Sequence, residues 1–182
     1  PANVETLILL GSANLNATGS AGANTISGNS GNNRVSGAGG NDTLYGEAGN
    51  DRLFSDGGDD SLYGGDGNDL MLGGDGADLI DGGTGWDFVA YTGGSEALIL
   101  DLGAQGANAG AAAGDVLFGI EEVWGTALGD RMTGDALANV LRDNVAQRWG
   151  MANPSIEAVQ SLLYERAPRL VPVGGGPGIG RN

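Results

Sequence analysis

Aliphatic residues recur at every ninth position across the first half of the chain: Ile26, Val35, Leu44, Leu53, Leu62, Met71, Ile80 and Val89. Two residues before each stands a small polar acceptor, Asn24, Asn33, Asp42, Asp51, Asp60, Asp69, Asp78 or Asp87. Two residues earlier again comes glycine, from Gly22 to Gly85 without exception. Together these positions define eight nine-residue units in unbroken register from Gly19 to Ala90. A fixed period of this kind predicts a stacked solenoid. Each unit reads as a six-residue turn followed by a three-residue strand. In Gly64-Gly65-Asp66-Gly67-Asn68-Asp69 the glycines supply positive φ, and in Leu70-Met71-Leu72 alternation points Met71 inward and its neighbours outward. Two units complete one coil, so residues 18 apart stack across parallel strands. One inward side chain per strand is a thin core, and the missing stabilisation has to come from the turns.

The flanks carry weaker versions of the pattern. Residues 1–18 hold opening strands built on Val4-Glu5-Thr6-Leu7-Ile8-Leu9-Leu10. That segment returns in degenerate form at Ile120-Glu121-Glu122-Val123-Trp124, and one residue is deleted further along the second copy. Gly125–Thr133 and Gly134–Arg142 are decayed units with Asp130 and Asn139 at position six and leucine in place of the position-four glycine. Residues 91–142 are therefore expected to form degenerate coils, interrupted by an Ala/Gly-rich loop over 103–114 that leaves the solenoid edge. Proline is absent from Ala2 to Asn153, as a ladder that uses nearly every N–H requires. In residues 143–182, Asn153 and Pro154 open a short helix with Ile156, Val159 and Leu163 on one face, ended by Pro168 and followed by a Gly-rich flexible tail. The fold class expected is all-β, a parallel β-roll or β-helix of stacked nonapeptide half-turns with a short C-terminal helix.

Charge changes the picture. The chain carries a formal −15, and from Asp42 to Asp87 twelve acidic residues face one base, Arg52. Such a stretch resists compaction without counterions. It argues against nucleic acid, whose binders need a basic stripe, and no run is long enough to span a membrane. With no Cys and no His, thiolate and imidazole metal sites, disulfides and His-based catalysis are all excluded. Oxygen chemistry remains. Asp42, Asp60 and Asp78 fall on one edge of the solenoid and Asp51, Asp69 and Asp87 on the other. Stacked carboxylates of this kind call for a cation between them. Turn carbonyls alongside Gly65, Gly67, Gly74, Gly76, Gly83 and Gly85 suit the six to eight oxygen ligands of Ca2+ better than the tight octahedron of Mg2+. Four good calcium sites are expected, with two weaker ones where Asn24 and Asn33 supply an uncharged amide.

Gly64–Leu72, Gly73–Asp81 and Gly82–Ala90 resemble the GGxGxDxUx nonapeptide of RTX (repeats-in-toxin) proteins. Earlier units depart from it at Gly37-Ala38, Gly46-Glu47 and Ser55-Asp56, which puts their backbone ligands in question but not their register. The resemblance implies a β-roll that stays unfolded in calcium-poor cytosol, passes through a type I secretion apparatus and folds outside the cell on calcium. It also implies a secreted parent protein, with catalysis, if any, outside this chain; Pro1 begins in mid-pattern, as a fragment would. The amphipathic C-terminal segment resembles an RTX export signal, although its Gly-rich ending does not. A second reading is a module that recognises a cell surface, a polysaccharide or ice through its outer strand faces, where Tyr45 and Tyr63 share one column and Phe54 and Leu72 another. A carboxylate-only glycosidase is the one enzymatic version open to such a chain.

Overall fold

The structure is a computed structural model, and it describes residues 5–92, 95–136 and 139–142. Two parallel sheets face each other. One runs Thr6–Ile8, Thr25–Ser27, Thr43–Ala48, Ser61–Asp66, Leu79–Thr84, Val116–Phe118. The other runs Asn16–Thr18, Arg34–Ser36, Arg52–Phe54, Leu70–Leu72, Phe88–Ala90, Glu122–Trp124, Val140–Arg142. Strands of the two sheets alternate along the chain, as half-turns of a solenoid must. Pairing is in the predicted register of 18, for example Leu44 opposite Leu62 opposite Ile80, and Val35 opposite Leu53 opposite Met71. The inward column from Ile26 to Val89 is at most 1 % exposed throughout, so the ninth-position periodicity is the core.

The strands depart from the expectation of uniform three-residue pieces. In the first sheet Thr43–Ala48, Ser61–Asp66 and Leu79–Thr84 are six residues long and carry the ladder into the turn, with Glu47 opposite Gly65 opposite Gly83. In the second sheet the strands stop at three residues, and the turns that follow keep only isolated bridges from Gly39 to Gly57 and from Gly57 to Asp75.

The outward positions also differ between sheets. Leu70 and Phe88 point away from the core yet are buried, packed with Ala90 and Trp124 in a second apolar cluster. The Arg34 guanidinium lies 4.5 Å from the Phe54 ring centre on the same face. On the first sheet Tyr45 and Tyr63 stack in cross-strand register, with ring centres 5.0 Å apart and planes 10° apart.

Beyond Ala90 the chain leaves the solenoid and comes back. Leu98–Asp101 pairs with Ala109–Gly110 antiparallel and with Arg131–Thr133 parallel, forming a third sheet. Leu98, Leu100 and Leu102 join the main core from there. A 3-10 turn, Gln105–Ala107, lies in the Ala/Gly-rich segment. Val116–Phe118 then rejoins the first sheet and Glu122–Trp124 the second. The helix expected after Asn153 and the tail beyond it lie outside the described residues.

Candidate metal centre

Each turn must reverse the chain while its backbone sits directly on the coil beneath. Gly65, Gly67, Gly74, Gly76, Gly83 and Gly85 all adopt positive φ, between 94° and 140°. At Gly67 a Cβ would overlap Gly49 O, so the close approach as well as the backbone angle demands glycine. Ala38, Glu47 and Asp56 take the same left-handed conformation at φ 84°, 78° and 74° despite their side chains. The departures from the GG pair therefore leave the turn shape intact at those three units.

The position-six aspartates occupy equivalent places. In each, Oδ1 accepts a backbone N–H from the coil before it: Asp42 N–H donates to Asp60 at 2.7 Å, Asp60 to Asp78 at 3.0 Å, Asp51 to Asp69 at 2.7 Å and Asp69 to Asp87 at 2.9 Å. The same bond runs from Asn24 N–H to Asp42 and from Asn33 N–H to Asp51. The stacks at 18-residue spacing thus form as expected, but a peptide N–H mediates each contact.

The second oxygen is different. Oδ2 of Asp42, Asp51, Asp60, Asp69, Asp78 and Asp87 is buried and meets no hydrogen-bond donor. The whole side chains are 0–2 % exposed. Burial is the largest influence on their acidity, pushing Asp51, Asp78 and Asp87 up to about 7 and Asp69 up to about 6. Asp42 and Asp60 move in the same direction through burial, with the Ser55 hydroxyl beside Asp60 opposing the rise there. Backbone hydrogen bonds oppose the shift, and neighbouring carboxylates add to it more weakly than burial does. The sequence pointed to repulsion between stacked charges; in the structure desolvation is the larger cause. A buried carboxylate oxygen without donor or counterion is costly, and a bound cation removes that cost.

The donor set fits a hard cation. Among the described residues no cluster of three carboxylate, His or Cys side chains forms; each turn from Asp42 to Asp87 offers one buried carboxylate and peptide oxygens, while Glu47, Asp56, Asp59, Asp66 and Asp75 are exposed. At Gly46, Gly64 and Gly82 a Cβ would lie within 2.7 Å of both the turn's own Asp Oδ2 and the carbonyl oxygen of the next coil, at Gly64, Gly82 and Gly119. Glycine leaves that cradle open. Oxygen-only ligation of this kind suits Ca2+.

Asn24 and Asn33 are buried at the same position but do something else. Their Oδ1 atoms accept the N–H of Ser20 and Asn29 within the same turn, at 2.6 and 2.7 Å. Their Nδ2 groups donate to Ser20 Oγ and Asn29 Oδ1. Gly22 and Gly31 are not in the positive-φ region there.

Several contributors escaped the sequence reading. Position-five side chains form an outer ladder: Asn14 Oδ1 accepts from Asn32 N–H, Asn32 from Asn50, Asn50 from Asn68 and Asn68 from Trp86, at 2.9–3.0 Å. Its signal, asparagine at every eighteenth residue from Asn14, was present in the sequence. Asp115 and Glu121 were not legible, because the excursion breaks the spacing. They accept Asp78 N–H and Asp87 N–H at 2.9 and 2.8 Å and so extend the two carboxylate ladders by one rung. Asp115 Oδ2, unlike those of the repeat, receives the Tyr91 hydroxyl at 2.7 Å.

A parallel solenoid that buries one donorless carboxylate oxygen per half-coil defines a cation-binding repeat fold. Residues 18–95 of the chain match the RTX calcium-binding nonapeptide repeat, in four overlapping copies over 18–53, 36–71, 45–80 and 63–95. No curated protein matches the chain. Among the described residues no helix is long and apolar enough to cross a membrane.

Proposed function

We propose that this chain is a calcium-loaded β-roll module whose ordered state forms outside the cell and serves the export and stability of a larger secreted parent. The observation that carries the reading is the row of six buried Oδ2 atoms without donors, from Asp42 to Asp87. Asp42, Asp51, Asp60, Asp69, Asp78 and Asp87 would hold the ions, with peptide oxygens of the turns around Gly65, Gly67, Gly74, Gly76, Gly83 and Gly85 completing the shells. Bound calcium would supply the positive charge that the buried carboxylates lack. Asn24 and Asn33 hydrogen-bond within their own turns and cap the row instead of filling it.

Because the ligands converge only when coils stack, ion binding and folding are one equilibrium. An affinity on the order of 0.1–1 mM, typical of extracellular modules, would keep the chain unfolded in cytosol and permit passage through a type I secretion apparatus. Far-UV circular dichroism in chelator, then through calcium to several millimolar with magnesium as control, tests this. The expected result is a coil-to-β transition with calcium alone; a β spectrum already complete in chelator refutes the coupling. A surface-recognition role for the stacked Tyr45–Tyr63 pair is the second reading. Its test is whether replacing both by Ala abolishes binding to polysaccharide while leaving the calcium transition in place.

A further inference from the structure

The two long edges of the solenoid carry the same aspartate at the same position, but they are not built alike. On one edge, at residues 46–51, 64–69 and 82–87, the parallel ladder continues into the turn, pairing Glu47 with Gly65 and Gly65 with Gly83. On the other, at residues 37–42, 55–60 and 73–78, the ladder stops and only single bridges at Gly39, Gly57 and Asp75 remain.

Among the aspartate turns the cradles differ in step with the backbone; the Asn24 turn on the broken edge still has a neighbouring carbonyl, Gly37 O, beside Gly19. Gly46, Gly64 and Gly82 each sit beside two oxygens at once, the turn's own carboxylate Oδ2 and the next coil's peptide oxygen. At Gly37 and Gly73 the own Oδ2 is close, but the next nearest atoms are that same carboxylate's carbons at 2.8 and 3.1 Å, not a neighbouring carbonyl. Between them on this edge stands Ser55, where the other seven units have glycine. Its side chain is fully buried, and its hydroxyl donates to Gly73 O at 2.6 Å. A real side chain therefore fills the cradle at Asp60, and its hydroxyl consumes a peptide oxygen of the coil above. The rung after Asp78 is closed as well, because Tyr91 occupies Asp115 Oδ2.

We infer that the two edges are two classes of calcium site: a tight row at Asp51, Asp69 and Asp87, and a weaker row at Asp42, Asp60 and Asp78 that Ser55 interrupts. On the tight row the last site draws on Gly119, which lies outside the repeat units, for its peptide oxygen. This assignment rests on the calcium reading above and adds which turns fill first and what holds the others back. Ser55 is a positioning residue in it: it acts by occupying space and a carbonyl.

The test is calcium binding to the full chain, by isothermal titration and equilibrium dialysis, for the wild type and the variants S55G, D60N and D69N. The wild type should show two classes separated by tenfold or more. D69N should weaken the tight class by at least tenfold, whereas D60N should leave it within twofold. S55G opens a cradle on the weaker row without removing any ligand, so it should add one ion to the weaker class and leave the tight class unchanged. That gain is readable even if D69N fails to fold. One uniform class in the wild type, equal effects of D60N and D69N, or unchanged stoichiometry in S55G each overturn the two-row assignment while leaving calcium binding intact. No calcium uptake by the wild type overturns the calcium reading, and the two-row assignment with it.

Discussion

At Asn33 the buried position-six side chain is an amide whose Oδ1 accepts the Asn29 N–H at 2.7 Å and whose Nδ2 donates to Asn29 Oδ1 at 3.1 Å. Two coils further on, Asp69 holds the same place with a carboxylate whose Oδ2 has no donor at all. The first turn closes itself with protein groups and the second does not. Asp115 repeats the lesson at the far end, where the Tyr91 hydroxyl takes the oxygen that stays open in the repeat. The middle of the solenoid thus leaves a carboxylate oxygen without a donor in each turn, where the turns at Asn33 and Asp115 close with protein groups. One position in the repeat serves either purpose according to whether it carries an amide, a capped acid or a bare acid.

That contrast can be broken most severely at the turn glycines. Gly67→Ala puts a Cβ into Gly49 O from a positive-φ position, and the calcium-induced β signal should vanish at any calcium concentration. Gly22→Ala, which meets nothing within 4 Å, should leave stability within about 0.5 kcal/mol. Equal damage from the two would erase the distinction between middle and end.

Acidity comes next. In the ion-free fold Asp51, Asp78 and Asp87 titrate at about 7 and Asp69 at about 6, against the usual 3.8. Their folded values are raised, so the folded state binds more protons than the unfolded one between these limits. Stability in chelator is then greatest below about 4 and falls as pH rises through 6 to 7. Circular dichroism in chelator at pH 5 and pH 7.5 should show more β structure at pH 5. More β at the higher pH would contradict the burial argument.

Exchanging amide and acid should produce effects of opposite sign. Asp51→Asn removes a buried unpaired charge, so the residual β signal in chelator should rise while the calcium midpoint also rises. Asn33→Asp removes the donor to Asn29 and buries a charge, at a cost of about 1–3 kcal/mol, so the residual β signal in chelator should fall. Changes of the same sign in chelator would show that the two turns are equivalent after all. The mildest change is Asn50→Ala, which strips the exposed acceptor of the Asn68 N–H and should cost about 0.5–1 kcal/mol by denaturant titration, with calcium stoichiometry unchanged.

Most of the architecture was readable because the period fixes it. The inward column from Ile26 to Val89, the alternating half-turns and the stacking of Asp42 on Asp60 on Asp78 all follow from nine-residue spacing. What the letters did not disclose depends on which atom points where. Both edges spell Asp at position six, and the GG pair is broken on both, at Gly37-Ala38 and Ser55-Asp56 on one and at Gly46-Glu47 on the other, so the sequence did not tell the edge with the continuous ladder from the edge with the broken one. The outward Leu70 and Phe88 alternate as surface residues should, and became core only because Trp124 returns beside them from across the excursion. That excursion also hid Asp115 and Glu121, which rejoin the ladders 37 and 34 residues on, where 18 was the rule.

The ladder of peptide N–H to Oδ1 bonds gives the solenoid a sense of direction. In every rung the donor belongs to the earlier coil and the acceptor to the later one. Cutting coils away from the N-terminal side leaves behind carboxylate oxygens that water can solvate. Cutting from the C-terminal side strands peptide N–H groups that lie inside a turn, together with the half-cradle beside them. The two ends are therefore not interchangeable as starting points for growth: a coil is finished only by the one that follows it in the chain.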